Sequence, residues 1–293
     1  MTTRGFLDGL GQDLRHALRV SAGNPGFACL VVLILALGIG ASTAVFSVVN
    51  SAVLKRLPVQ RPEELVWFRH PGFSYPIFQE IQARSDSFSG LFGWDMQRLH
   101  VDWGGAPEPT QALLVSGAFY ETLGVRALAG RTLGPADDAA ADPVAVISHA
   151  CWRKRFGGDA SVVGRTIRIE RAPFRIVGIA PPGFFGVAPG LLPEVTLPLR
   201  VLPALRAEDA DILRRPQSSW LHLMARLKPG VKLEQANAAL QLAWPRVLEA
   251  TTSPEMPPDR RARYLSRTVS LAPGSTGFSR VRNQFARPLS ILL

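Results

Sequence analysis

Residues 27–46 read FACLVVLILALGIGASTAVF, twenty residues without a charge, eleven of them Leu, Ile, Val or Phe. As a helix rising 1.5 Å per residue, the run reaches about 30 Å, the thickness of a bilayer's hydrocarbon core. At about 0.3–0.6 kcal/mol for each of the eleven, insertion gains roughly 3–6 kcal/mol. The reading is a transmembrane helix, with the lipid bilayer as the first partner. A cleaved secretory signal also has an apolar run near its start, and Ala41, Ser42 and Ala44 are small. The apolar part of such a signal is usually about 7–15 residues, however, and this run is longer and follows a long polar head. A buried core helix fits less well. Gly38 and Gly40 lower helix propensity in water, whereas in a membrane small residues let a second helix approach. A packed neighbour is expected, either a second copy or a permease partner.

Outward from the span, no charge occurs between Val20 and Leu54. The uncharged run outlasts one bilayer thickness, so residues 25–54 read as span plus a helical stalk. Residues 1–24 form a polar head, in which Leu10, Leu14, Ala17 and Leu18 recur at helical spacing with Arg15 and Arg19 off that stripe. This predicts a short amphipathic helix on the membrane surface, broken by Asn24, Pro25 and Gly26. Arg4, Arg15 and Arg19 on one side face Lys55, Arg56, Arg61 and Arg69 on the other. Charge alone therefore leaves the orientation open, since long domains translocate largely regardless of it.

The roughly 240 residues after the span are enough to bury a core without disulfides. Only Cys29, inside the span, and Cys151 are present, so no bridge forms within the domain. The net charge of +10 comes from 29 Arg and 4 Lys scattered along the chain. The densest clusters, at 153–155 and 260–263, are short, and nucleic acid is not an expected partner.

Beyond Pro58 the pattern is mixed α+β. LVWFR at 65–69 reads as a strand, and Ser74 starts a helix with Ile77, Phe78 and Ile81 on one face. Residues 91–103 and 110–115 read as strands around a turn, and 117–123 as a short helix. GPADDAAAD at 134–142 reads as a solvated acidic boundary loop. Then follow a strand at 144–148, a helix at 150–156 closed by Gly157 and Gly158, and a hairpin of 165–170 with 174–179 across an Arg171-Ala172-Pro173 turn. In that hairpin Ile167 and Ile169 face a core. WLHLMARL at 220–227 reads as a strand, 233–248 as a helix with Glu234 complementing its dipole, and 267–271 as a strand after a Pro-rich connection. Similar units thus flank a strand-rich module at about 135–216, which predicts one domain interrupted by an insertion.

DLRHALRVSAGNPGFACLVVLILALGIGASTAVFSVVNSAVL, at 13–54, resembles the first transmembrane segment of MacB-like ABC transporter permeases, in particular the duplicated orphan permeases. VAVISHACWRKRFGGDASVVGRTIRIERAPFRIVGIAPPGFFG, at 144–186, is similar to the most recognisable stretch of the MacB-like periplasmic core domain. The resemblance implies a cytoplasmic head, an inner-membrane span, and a periplasmic domain over 55–284 with a porter-like lobe and an inserted lobe. It further implies a separate cytoplasmic ABC ATPase, coupling of that ATPase to the outer domain, and an outer partner protein. Three further spans follow in the family. RPLSILL at 287–293 has barely begun an apolar run, so 285–293 reads as the start of a truncated second span and the chain as an N-terminal fragment. The competing reading is a single-span anchored binding or adaptor module.

No catalytic constellation is visible, and no catalytic, cofactor-binding or metal-ligating residue is assigned. The phosphate-cradling GxxxxGK pattern of an ATPase is missing, and Gly38-Ile39-Gly40 lies in the span without the strand of a dinucleotide site. His16, His70, His100, His149 and His222 are isolated, and His149 with Cys151 alone does not make a zinc site. Asp137, Asp138 and Asp142 read as solvated instead of calcium-binding. Asp95, Asp102 and Glu108 read as outward strand residues. Phe184 and Phe185 pose one choice, an exposed partner contact or rings that plug the core.

Overall fold

The computed structural model describes residues 25–49 and 56–278. They belong to two compact units, one within residues 1–55 and one within 56–293. The amphipathic head, the end of the stalk and the start of a second span lie outside the described residues.

In the first unit, helix α1 (Pro25–Val49) is 25 residues long, about 37 Å of rise. It remains helical past Phe46, to Val49. Leu30, Val32, Leu33, Ile34, Leu35, Leu37 and Ile39 are all more than half exposed. The Thr43 hydroxyl donates to the Ile39 carbonyl at 2.7 Å, so this polar atom is satisfied within the helix. Counted over the described residues alone, no helix is long and apolar enough to cross a membrane.

The second unit is mixed α/β. It opens with β1 (Leu65–Arg69), α2 (Tyr75–Arg84), β2 (Phe88–Asp102), β3 (Glu108–Val115) and α3 (Phe119–Leu123). Next come β4 (Ala129–Gly130), α4 (Pro135–Ala140), β5 (Val144–Ile147), α5 (His149–Phe156), β6 (Thr166–Ile169), β7 (Ala172–Ile179) and β8 (Val195–Pro198). It closes with α6 (Leu202–Leu205), β9 (His222–Leu227), α7 (Leu233–Ala250), α8 (Pro258–Leu265) and β10 (Ser270–Pro273). Ser74 caps α2 by accepting from the Ile77 amide, and Ser148 caps α5 by accepting from that of Cys151.

The strands form one sheet in the order β10-β1-β9-β2-β3-β8-β5-β7-β4, with β6 bonded to β2 and β7. β2, about 50 Å long as an extended strand, is its spine. Its first half pairs antiparallel with β9, its second half with β3, and its last two residues with β6. β8 joins β3 in parallel and leads into the strands of the middle module. β4, which precedes residue 135, sits on the far side of β7 with that module.

Strand alternation distributes the core. Leu223, Ala225 and Leu227 of β9 face a cluster closed by α2 and α7, with Ile77, Phe78, Leu240 and Trp244. Met224 faces the opposite cluster with Phe92, Trp94, Leu113 and Tyr120. A third cluster joins the middle module to β2 and β3, where Ile167 and Ile169 pack with Phe174 and Leu114 as the alternation predicts.

The structure corrects the sequence reading at three places. The turn between β6 and β7 is two residues, Glu170-Arg171, because Ile169 pairs directly with Ala172. Both turn residues have positive φ, 47° and 74°, the twist that a two-residue hairpin requires. The connection after α7 contains α8, whose Pro258 stands in the first turn, where a missing amide is harmless. The acidic boundary loop is instead helix α4, and its Asp137 and Asp138 are buried.

Candidate functional site

The two ends of the folded unit meet in a seam. The Leu57 amide donates to the Ser275 carbonyl at 2.8 Å, and the Gly274 amide to that of Leu65 at 2.7 Å. β1 and β10 pair antiparallel along this same line. Beyond β10 the Phe278 amide donates to the Val187 carbonyl at 2.8 Å, with Gly277 at φ 74° just before it. A Cβ on Gly277 would stand 2.4 Å from that carbonyl oxygen, so this close passage needs glycine.

Arg226 of β9 holds the incoming side of the seam. Alternation turns it, with Met224, away from the α2 and α7 face. Its side chain is only 7% exposed. The guanidinium donates to the Thr122 carbonyl at 2.8 Å, the Arg61 carbonyl at 2.8 Å, the Gln60 carbonyl at 2.5 Å and the Glu64 carboxylate at 3.0 Å. One planar fork thus ties the incoming segment to α3 and to the middle of the sheet. WLHLMARL shows an arginine among apolar residues of a strand. That was the available signal, but its partners lie 104–166 residues away in sequence.

A groove of about 620 Å³ opens beside the seam, with Trp94, Met96 and Arg98 of β2 and Leu191, His222 and Phe278 in its walls. Phe278 packs against His222 at 4.3 Å, Trp94 at 5.4 Å and Trp67 at 5.6 Å between ring centres. Here β9 stops at the Trp94–His222 pair and β6 starts only at Val101, so among the described residues 95–100 of β2 have a strand neighbour on one edge. Arg206 covers part of the open edge, donating to the Arg98 carbonyl at 2.7 Å and the Gln97 side chain at 3.1 Å.

The middle module is anchored by two neighbouring carboxylates. Asp137 receives both guanidinium nitrogens of Arg131, at 2.6 and 2.7 Å, and this pairing holds its carboxyl below the ordinary carboxylate range. Asp138 accepts only amides, from Gly117 at 3.2 Å and Arg200 at 3.1 Å. Burial dominates there and pushes its pKa up, partly offset by those amides. Arg155 of α5 lies between Glu108 and Glu194 and stacks over Trp103 at 4.8 Å, so one member of the 153–155 cluster is occupied within the fold.

The other residues singled out in sequence are dispersed. His70 hydrogen-bonds the Gly72 carbonyl, and burial lowers its pKa. His100 meets Glu170 at 3.3 Å, whereas His149 meets the Trp152 ring edge-on. Cys151 is buried and its thiol is pushed up to about 12, chiefly by that burial. His16 lies outside the described residues. Asp95 accepts from the Gln97 side chain, and Asp102 from the amides of Gly104 and Gly105. Asp142 sits just past α4. Among the described residues no three His, Cys, Asp or Glu side chains converge on a metal-sized site. Phe184 is 9% exposed against Phe119 and Tyr120, and Phe185 packs partly buried beside it, so this pair fills the core.

The family model described as MacB-like periplasmic core domain matches residues 28–243, well over half of the chain. No curated protein matches. Among solved structures, the chain is similar to a domain of a Porphyromonas gingivalis protein described as a permease, at 18% identity over 74% of this chain and 92% of that one, with a TM-score of 0.53. It is also similar to the periplasmic region of MacB from Actinobacillus actinomycetemcomitans, at 9% identity over 78% and 92%, with a TM-score of 0.51. At these identities the likeness is one of fold.

Proposed function

Since the chain belongs to the family of MacB-like periplasmic core domains, we propose that it is the anchored, extracytoplasmic part of a permease-type subunit in an ABC-type transport or mechanotransmission system. In this reading α1 crosses the inner membrane, the unit beginning at Arg56 stands outside, and a separate cytoplasmic ATPase supplies the movement. Catalysis by this chain is not part of the proposal.

The observation that carries the reading is the seam. A domain inserted between two membrane segments needs both of its ends at one place, and the Leu57–Ser275 hydrogen bond puts them there. In this reading the exposed apolar side chains of α1 serve as the anchor. Because β1 and β10 are bonded along the seam, movement of either connection is delivered to the same sheet, and β2 extends it toward the middle module.

Labelling in intact cells tests the topology. In a Cys29→Ser background, Glu234→Cys on the exposed side of α7 should react with a membrane-impermeant maleimide before permeabilisation, while buried Cys151 stays silent. Leu35→Arg, at a cost of about 2.5–3.5 kcal/mol at a helix centre, should sharply lower carbonate-resistant membrane recovery. Labelling only after permeabilisation, or unchanged recovery, sinks the anchored reading. Coupling is tested separately in a complete relative. A Gly-Pro insertion at the position of Asn50 should leave insertion intact and uncouple ATP hydrolysis from movement of the outer domain.

A further inference from the structure

We propose that Arg260, Arg263 and Arg267 build a pocket for a compact oxyanion of the phosphate or sulfate class. The site is separate from the seam and needs nothing of the transport reading. Arg260 and Arg263 are three residues apart on one face of α8, and Arg267 lies two residues beyond the end of that helix. They line a cavity of about 650 Å³.

Arg267 gives the pocket its fixed guanidinium. Its Nη1 atom is buried without a hydrogen-bond partner, the kind of donor that folded proteins seldom leave unpaired. Its guanidinium lies 4.7 Å above the Tyr264 ring. That ring is 3% exposed and fixed by a 2.6 Å hydrogen bond between its hydroxyl and Thr251. The Arg267 carbonyl accepts from the Trp244 indole at 2.7 Å. The fork is therefore held in place before any ligand arrives.

Charge in the pocket is not balanced internally. Arg260 and Arg267 form no ion pair among the described residues. Arg263 has only a 3.4 Å contact with Asp259, both side chains being more than two-thirds exposed. Glu255 is the one carboxylate in the wall, against three guanidinium groups, while Ser253 and Gln217 add neutral donors. Fixed and mobile arginines around one cavity suit a ligand that presents several oxygens at once. A free oxyanion and the headgroup of an anionic lipid share this chemistry. We assign the pocket to the free ion.

The test uses the full chain in detergent, titrated calorimetrically with inorganic phosphate at low ionic strength. Saturable one-site binding, with sulfate competing, is expected. The exposed pair Arg260→Gln with Arg263→Gln should weaken it at least about ten-fold, the loss of one or two charge-assisted hydrogen bonds, with an unchanged far-ultraviolet circular dichroism spectrum. Arg267→Gln should abolish it. Because that variant also disturbs Tyr264, the exposed pair is the deciding one. An unaltered affinity in the exposed pair would leave Arg267 only a stacking role and overturn the site. So would the absence of saturable binding. Binding confined to nanodiscs containing phosphatidylglycerol, with none for free phosphate, would overturn the free-ion assignment.

Discussion

The seam around Arg226 and the acidic helix α4 both bury charge, but by different means. Arg226 meets three carbonyls and the Glu64 carboxylate, so its cation has an opposite charge in reach. In α4, Asp137 has such a counter-charge bonded to it in Arg131, while Asp138, the next residue, hydrogen-bonds only amides and feels the Arg200 charge without bonding it. The pKa directions of the two carboxylates diverge accordingly, down for Asp137 and up for Asp138. Burial by itself therefore does not set the response of a charge. What decides is whether its partner is an ion or a dipole.

The largest effect should come from the seam. Arg226→Met leaves three carbonyls without their donor, while Glu64 keeps Arg61, and should destabilise the unit by about 2–4 kcal/mol, read from denaturant unfolding of the full chain. A loss below 1 kcal/mol would mean the seam holds without its clamp. Next is Gly117→Ala, at the joint where α4 meets the flanking unit. The added Cβ would lie 2.4 Å from the Pro135 Cα, and the strain should cost about 1–3 kcal/mol by the same measurement.

The carboxylates sharpen the comparison through pH. Asp137 has its folded pKa lowered, so its contribution is present above the unfolded value and is lost as pH falls through the folded one. Asp137→Asn should cost about 2 kcal/mol near neutrality and progressively less on acidification, as followed by unfolding at a series of pH values. Asp138 runs the other way. Its folded pKa is raised, so the fold binds the extra proton between the two values and stability falls as pH rises through that window. Asp138→Asn should change stability by only about 1 kcal/mol, one amide losing its acceptor while a buried charge is removed, and should improve relative to the parent as pH rises. Parallel pH profiles for the two variants would erase the distinction.

Where neighbours in sequence are neighbours in space, the fold was readable. Ser74 with Ile77, Phe78 and Ile81, and Ile167 alternating with Arg168, announced α2 and β6 through local periodicity. α4 was not readable. Its composition is that of a solvated turn, and what buries it, Gly117 and Arg200, lies 21 and 62 residues from Asp138. α8 hid behind Pro257 and Pro258, which look like breakers until one stands in a first turn. The candidate sites followed the same division. The arginines at 260–263 were visible as a run, but Arg267 and the ring beneath it needed the fold, and Arg226 gave no local sign of its four partners.

The meeting of Leu57 with Ser275 has a consequence for how such a domain travels between proteins. A unit whose two ends lie one hydrogen bond apart occupies scarcely more room in its host than a tight loop would. Joined chain segments at such a seam are not spread apart by the unit between them. The seam makes the fold transplantable, and the same property predicts that lengthening either connection by a few residues leaves the unit itself unchanged while altering only how closely it follows its host.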